Sequence, residues 1–310
     1  MEYTVEHETV YRYPRSVTES YTVVHLQPRT NLRQYCTGYV LDVTPQCRVF
    51  SYVDRFGNDV QHFAIVPEHN ELRIVARSHV VTLPAGAVTA PQDVDAAQLD
   101  ADPRTPELAE FRGTTPYVRI DDSVARLARE VPAPDDDLAG YFLAAGSFIH
   151  HTFRYRPGTT DVRTTVADVV AARAGVCQDF AHVLIALARS RGIPARYASG
   201  YIFRGVAGTL GADASHAWAE AFLPPYGWVG FDPTNDRLID DGFVLVALGR
   251  DYGDVSPTRG LYRGAEAATL SVAVAVGAAG TAAETGGQQQ QQQQSQTGSQ
   301  SQSQSQSQRL

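Results

Sequence analysis

The sequence predicts an α+β protein, and three observations carry that prediction. Side chains up to about residue 85 alternate between apolar and polar with a period of two. Apolar residues between about 121 and 191 recur at helical spacing. Strand-like runs then return between Tyr197 and Ala247.

The first strand is the clearest. Tyr3, Val5, His7, Thr9, Tyr11 and Tyr13 alternate with Thr4, Glu6, Glu8 and Arg12. β-rich runs follow at Tyr21–Leu26, Tyr39–Val43, Val49–Val53, Val60–Val66 and Leu72–Leu83, with Gly57-Asn58 and Pro67 supplying turns. Short strands at regular spacing predict a β-sandwich-like domain over residues 1–85. Residues 86–134 read as a linker and helical connection. Their first part, from Pro84 to Pro116, is rich in Ala, Pro and Asp and has room for one short helix. Asp121 or Asp122 caps a helix carrying Val124, Leu127, Ala128 and Val131, which Pro132 stops. Leu138, Phe142, Ala145 and Ile149 mark a second helix. Thr165 and Asp168 form a capping box for a third, which Gly175 ends. Phe180, Val183, Leu184 and Leu187 form the apolar face of a fourth, closed by Gly192 and Pro194. Strands are expected at Tyr197–Phe203, Ala214–Leu223, Trp228–Asp232, Phe243–Ala247 and Leu270–Val276. Residues 135–276 thus make a second unit with its C-terminal strands. Residues 277–310, with Gln and Ser repeats from Gly286, are expected to be disordered, because such a tract has too little apolar surface to offset its ordering entropy.

Composition narrows the function. The chain has 310 residues, enough for two domains with cores of their own. Its net charge of −8 argues against nucleic acid or an anionic membrane as the main partner. All 26 basic residues are Arg, and Lys is absent. Cys36, Cys47 and Cys177 are too few for a disulfide scaffold. The opening MEYTVEHETVYRY lacks the basic and apolar regions of a signal peptide, and no run approaches the roughly 20 apolar residues of a membrane span. A cytoplasmic protein with reduced thiols is expected.

Chemistry concentrates between Ala174 and Asn235. AGVCQDFAHVLIALARSRGIPARY places Cys177 at the start of an amphipathic helix, whose free N–H groups and partial positive charge stabilise a thiolate. ASHAWAEAFLPPYGWVGFDPTN reads as two strands joined by a Pro-Pro-Tyr-Gly turn. His216, Trp218, Glu220 and Phe222 share one face of the first strand. A hairpin centred near Pro225 sets His216 opposite Asp232 or one diagonal step away, so imidazole and carboxylate meet. The carboxylate would fix the tautomer of His216 and stabilise its charged form.

These residues carry a resemblance. GVCQDFAH, SHAWAEAFLP and GWVGFDPTN are similar to the nucleophile, histidine and aspartate motifs of the bacterial transglutaminase-like family, described as cysteine proteases. YTVEHETVYRYPRSVTESYTVVHLQPR resembles the N-terminal β region that accompanies this core in bacteria, and DYGDVSPTRGLYRG the stretch that follows it. The resemblance spans roughly residues 1–276; the Gln/Ser tail has no counterpart in it. It implies a papain-like core in which the Cys helix packs on an antiparallel sheet. It also implies Cys177 as nucleophile, His216 as general base and acid, and Asp232 as orienter. Attack on a peptide or carboxamide carbonyl would pass through a thioester. The triad does not choose between hydrolysis and amine transfer.

Other candidates are weaker. His182, five residues after Cys177, is expected to make packing or polar contacts, and Asp179 to favour the helix dipole. Cys36 and Cys47 are expected to be spectators. A zinc site from Cys177, His182 and His216 lacks paired CxxC spacing, and no acidic loop suits calcium, so no cofactor is expected. The competing reading is a non-catalytic binding or scaffold module on the same fold. Truncation after Gly280 should leave the melting temperature unchanged, because the polar tract adds no core; a fall of several degrees in differential scanning fluorimetry would show that the tail docks.

Overall fold

A computed structural model describes residues 1–84, 90–133, 136–158, 160, 164–203, 215–265 and 268–278. The chain opens with β1 (Glu2–Val24), a single strand of 23 residues where the sequence reads as two runs. Its first half pairs with a neighbour on each side through Arg12, and its second half takes up other partners from Thr18 onward. Pro14 has no N–H to donate and falls in the irregular stretch between the two registers, where the loss does no harm. β2 (Gln34–Thr44), β3 (Val49–Val53), β4 (Asp59–Ile65) and β5 (His69–Thr82) follow. They form an antiparallel sheet in the order β2-β5-β1-β4-β3. Because β1 serves both halves, the sheet curls instead of splitting into two independent layers.

The connection holds α1 (Ala96–Ala101), a 3-10 turn over Thr105–Phe111 and α2 (Asp122–Ala128). Asp121 is the cap of α2: its carboxylate accepts from the N–H groups of Ser123 and Val124 at 2.9 and 3.3 Å. α2 ends at Ala128, before the Val131 that the apolar spacing had included. α3 (Leu138–Thr152), β6 (Arg154–Tyr155), α4 (Val166–Ala172) and β7 (Ala174–Gly175) come next. The Thr165/Asp168 capping box is present. Gly175, expected to end α4, does not. Arg173 takes the left-handed position, with φ 47°, and Gly175 lies in β7. A Cβ at Gly175 would sit 2.7 Å from the Asp179 carboxylate, so the glycine is required by packing and not by a helix end.

α5 (Cys177–Ser190) follows, then β8 (Ala195–Ile202), β9 (His216–Leu223), β10 (Gly227–Asp232), β11 (Arg237–Leu238) and β12 (Phe243–Gly249). These strands form an antiparallel sheet in the order β11-β10-β9-β8-β12. The sequence assigns α5 one apolar face, but Ala181, Ile185, Ala186 and Ala188 are also fully buried. The helix runs through the centre of the core, with α2, α3 and α4 around it and β8 and β9 against it. Ala217, Ala219 and Ala221 share its cluster; their small side chains let the helix approach the sheet closely.

α6 (Tyr252–Val255) leads to β13 (Thr258–Arg263) and β14 (Thr269–Ala278). The sequence groups these strands with the second unit, yet both pair with β1 and complete the N-terminal sheet. Beyond Ala278, the tail lies outside the described residues. No helix among the described residues is long and apolar enough to cross a membrane.

Two amide side chains join the sheets. Gln34 donates to the Leu245 carbonyl and accepts from the Leu245 N–H, both at 2.8 Å. Asn58 does the same with Leu248, also at 2.8 Å for both bonds. Both residues are buried, and both imitate a neighbouring strand along the free edge of β12. Asn58→Ala would leave both polar groups of Leu248 without partners. It should cost about 2–4 kcal/mol of unfolding free energy in urea titration, against less than ~0.5 kcal/mol for an exposed Asn such as Asn70.

Candidate active site

Three elements bring Cys177, His216 and Asp232 to one place. Cys177 is the first residue of α5 and is buried. The turn into the helix is held by Asp179, whose Oδ2 accepts from the Val176 N–H at 2.8 Å and from the Thr160 hydroxyl at 2.7 Å. Asp179 is therefore a fixed part of the turn that presents Cys177, a role beyond the dipole effect expected from its position. His182 accepts from the Tyr252 N–H through Nε2 at 3.2 Å, and its ring packs against Tyr117 and Tyr197, the polar and packing role the sequence suggested. Burial, together with the nearby Arg189 charge, lowers its pKa to about 3.

β9 carries His216 and β10 carries Asp232. Phe231 stands opposite Ala219, which puts Asp232 across from Trp218 and one diagonal step from His216, on the same face. His216 Nε2 and Asp232 Oδ2 are 2.7 Å apart, and both side chains are fully buried. The carboxylate also accepts from Asn235 Nδ2 at 2.7 Å and from the Thr234 N–H at 2.9 Å. Asn235 lies in the GWVGFDPTN motif, and the sequence signal for its bond to Asp232 is an amide three residues beyond the acid. Trp218 and Phe243 lie beside the imidazole, with ring centres 6.4 and 6.2 Å away. Gly200 pairs with His216 across β8 and β9. A Cβ there would overlap the Val244 carbonyl and press on the Trp218 ring.

A proton on Nε2 faces the carboxylate, so Nδ1 is the nitrogen left for other work. Nδ1 is buried and has no hydrogen-bond partner. The Cys177 thiol is the neighbour that acts on the ring, through a side-chain interaction and its charge, although no partner meets strict hydrogen-bond geometry at Nδ1. Burial opposes the imidazolium, but the Asp232 charge, its hydrogen bond and Cys177 outweigh it and push the His216 pKa up to about 10. Burial likewise opposes the Asp232 carboxylate. The His216 charge, the bonds from His216 and Asn235 and the Thr234 N–H outweigh it, so the Asp232 pKa is lowered.

The cleft over Cys177 has a volume of about 840 Å³ counted to its open mouth. Tyr155, Tyr197, Ser199 and Tyr252 line the core side. His7, Thr9 and Leu270 line the other side, from the N-terminal sheet. The sequence reading assigned these residues to the sheet and gave them no part in the site.

Cys177 at the head of a central helix and His216 of the buried His–Asp pair thus line one cleft. Residues 125–233 match the model of the transglutaminase-like superfamily, and residues 3–81 that of the bacterial transglutaminase-like N-terminal region. An uncharacterized protein of Mycobacterium tuberculosis is 37% identical over 288 residues, covering 88% of this chain and 91% of its own. One from Mycobacterium leprae is 33% identical over 273 residues, covering 87% and 96%. The crystal structure of "a Putative Cysteine Protease from Cytophaga hutchinsonii" superposes with a TM-score of 0.71 at 23% identity, over 91% of this chain and 92% of that one, a likeness of fold. The chain belongs to the bacterial transglutaminase-like family.

The His216–Asp232 pair has a pH signature. A raised folded-state pKa means that His216 adds stability below its ordinary 6.5 and loses that contribution as pH rises through about 10. Asp232→Asn should therefore cost about 3 kcal/mol at pH 7 and clearly less at pH 10.5, where the wild-type imidazole has begun to lose its charge. Paired urea titrations at the two pH values measure this; an equal cost at both would show that the imidazolium is not what Asp232 stabilises.

Proposed function

We propose that the protein is a cysteine hydrolase or acyl transferase acting on peptide or carboxamide bonds, with Cys177, His216 and Asp232 as its triad. The observation that carries this reading is the 2.7 Å contact of His216 Nε2 with buried Asp232, which leaves Nδ1 without a structural hydrogen bond while Cys177 lies close enough to act on the ring. A structural histidine buried in a core has both ring nitrogens satisfied or its charge suppressed, as in His7 and His182. His216 has neither.

In this mechanism the Cys177 thiolate attacks the substrate carbonyl carbon, forming the C–S bond. The first N–H groups of α5 have no partner within the helix and are the donors available to the developing oxyanion. His216 passes its Nδ1 proton to the leaving amine as the C–N bond breaks, and a thioester remains. A water molecule then gives its proton to Nδ1 and attacks the thioester. The C–S bond then breaks, the acid leaves, and the Cys177 thiolate is restored beside the proton on His216 Nδ1. Asp232 keeps the imidazole in one orientation throughout and does not itself take the proton. The open mouth of the cleft lets water reach the thioester, which favours hydrolysis over transfer to an amine.

The test is a peptide-amide library incubated with the purified protein, with and without an added primary amine, and read by mass spectrometry. Cys177→Ala should lose at least ~1000-fold in kcat/KM with its melting temperature retained, while Cys36→Ala and Cys47→Ala stay within about twofold of wild type. Undiminished turnover in Cys177→Ala would overturn the reading.

A further inference from the structure

His7, Thr9 and Tyr11 occupy alternate positions of β1, so their side chains leave the strand on one face. All three are buried. His7 and Thr9, with Thr258 of β13 and Leu270 and Val272 of β14, line the cleft that holds Cys177 and His216. The hydroxyls on this wall are held by neighbouring side chains. His7 lies 3.2 Å from the Thr9 hydroxyl through Nε2 and 3.0 Å from the Tyr201 hydroxyl through Nδ1. The Tyr11 hydroxyl lies 2.6 Å from that of Thr258. Apolar residues would fill these positions without the desolvation cost that imidazole and hydroxyl groups carry into a core. The proposed triad chemistry uses none of them. Burial lowers the His7 pKa to about 4, so the ring is uncharged at neutral pH. Among the described residues lining the cleft there is no Asp, Glu or Arg, and the chain has no Lys.

We propose that the N-terminal sheet is the second wall of the substrate cleft, and that Thr9 and Thr258, set by His7 and Tyr11, hydrogen-bond an uncharged polar side chain flanking the scissile bond. The inference rests on the thiol chemistry proposed above. Hydroxyls donate or accept, so the wall suits a hydroxyl or amide side chain in either sense. A carboxylate or guanidinium pressed against it would lose its water and find no countercharge.

The experiment uses the full chain and peptidyl acyloxymethyl ketones. Attack by the thiolate on the methylene carbon of these probes forms a C–S bond and expels a carboxylate. The probes carry Asn, Asp, Leu or Arg beside the ketone, and labelling of Cys177 is followed by intact mass. Iodoacetamide, too small to need the wall, reports on the thiol itself. Wild type should react with the Asn probe at least roughly tenfold faster than with the Asp or Arg probe. Thr9→Val keeps the shape and removes the hydroxyl. It should cut the advantage of Asn over Leu to less than about threefold, while the iodoacetamide rate stays within about twofold of wild type. Thr258→Val is the second variant, and it decides the matter if Thr9→Val does not fold. No charge discrimination in wild type, unchanged preferences in the folded variants, or an iodoacetamide rate that falls in step with the peptidyl rates would overturn the proposal and leave the thiol reading standing. Labelling by iodoacetamide with none by any peptidyl probe would overturn the peptide-bond reading itself, and this inference with it.

Discussion

A carboxylate with no contact with water organises the centre of this protein. An unpaired charge at the position of Asp232 would be untenable, so the fold must deliver its partners. It does so with three partners: His216 from the neighbouring strand, and Asn235 and the Thr234 N–H from the turn after β10. The arrangement depends on register. A slip of one residue between β9 and β10 would turn either Asp232 or His216 to the other face of the sheet. Two nearby glycines allow the close packing around that pair. At Gly146 of α3 a Cβ would overlap the Phe231 ring next to Asp232, and at Gly230 it would meet Ile239 at 2.5 Å and Glu220 at 3.5 Å.

The same economy of space explains α5. A helix that presents a thiol to an adjacent strand must lie close to the sheet and must begin at a fixed point. Alanines on β9 allow the first, and Asp179, reaching back to Val176 and across to Thr160, secures the second. The N-terminal sheet then closes the other side. Its long first strand carries polar groups into the cleft. Its amide side chains Gln34 and Asn58 hold the edge of β12, and β13 and β14 return from the far end of the chain to pair with it. The two parts are tied at both ends of the sequence, which fits a cleft that both of them line.

Element types were largely legible because they rest on local rules. Period-two alternation located the strands, and Thr165 with Asp168 marked a helix start. The spacing about Pro225 placed His216 within one diagonal step of Asp232. The misreadings share a cause. Gly175 looked like a helix end because glycine favours a left-handed cap, but Arg173 took that conformation and Gly175 was needed beneath Asp179. The single apolar stripe assigned to α5 missed that alanines count as core when a helix is enclosed on all sides.

The sequence by itself determined the chemistry on offer: a cysteine at a helix start, and a histidine and an aspartate on strands joined by a tight turn. Those are relations between residues close along the chain, and periodicity and turn residues encode them. Only the tertiary structure decided that His7 and Thr9, more than 160 residues before Cys177, face the same cleft. Only the structure decided that strands after the core complete the first sheet, and that Asn235 completes the shell of Asp232. Such contacts depend on how whole sheets pack and curl. Burial and hydrogen bonding fix them across distances that no local pattern in the sequence spans.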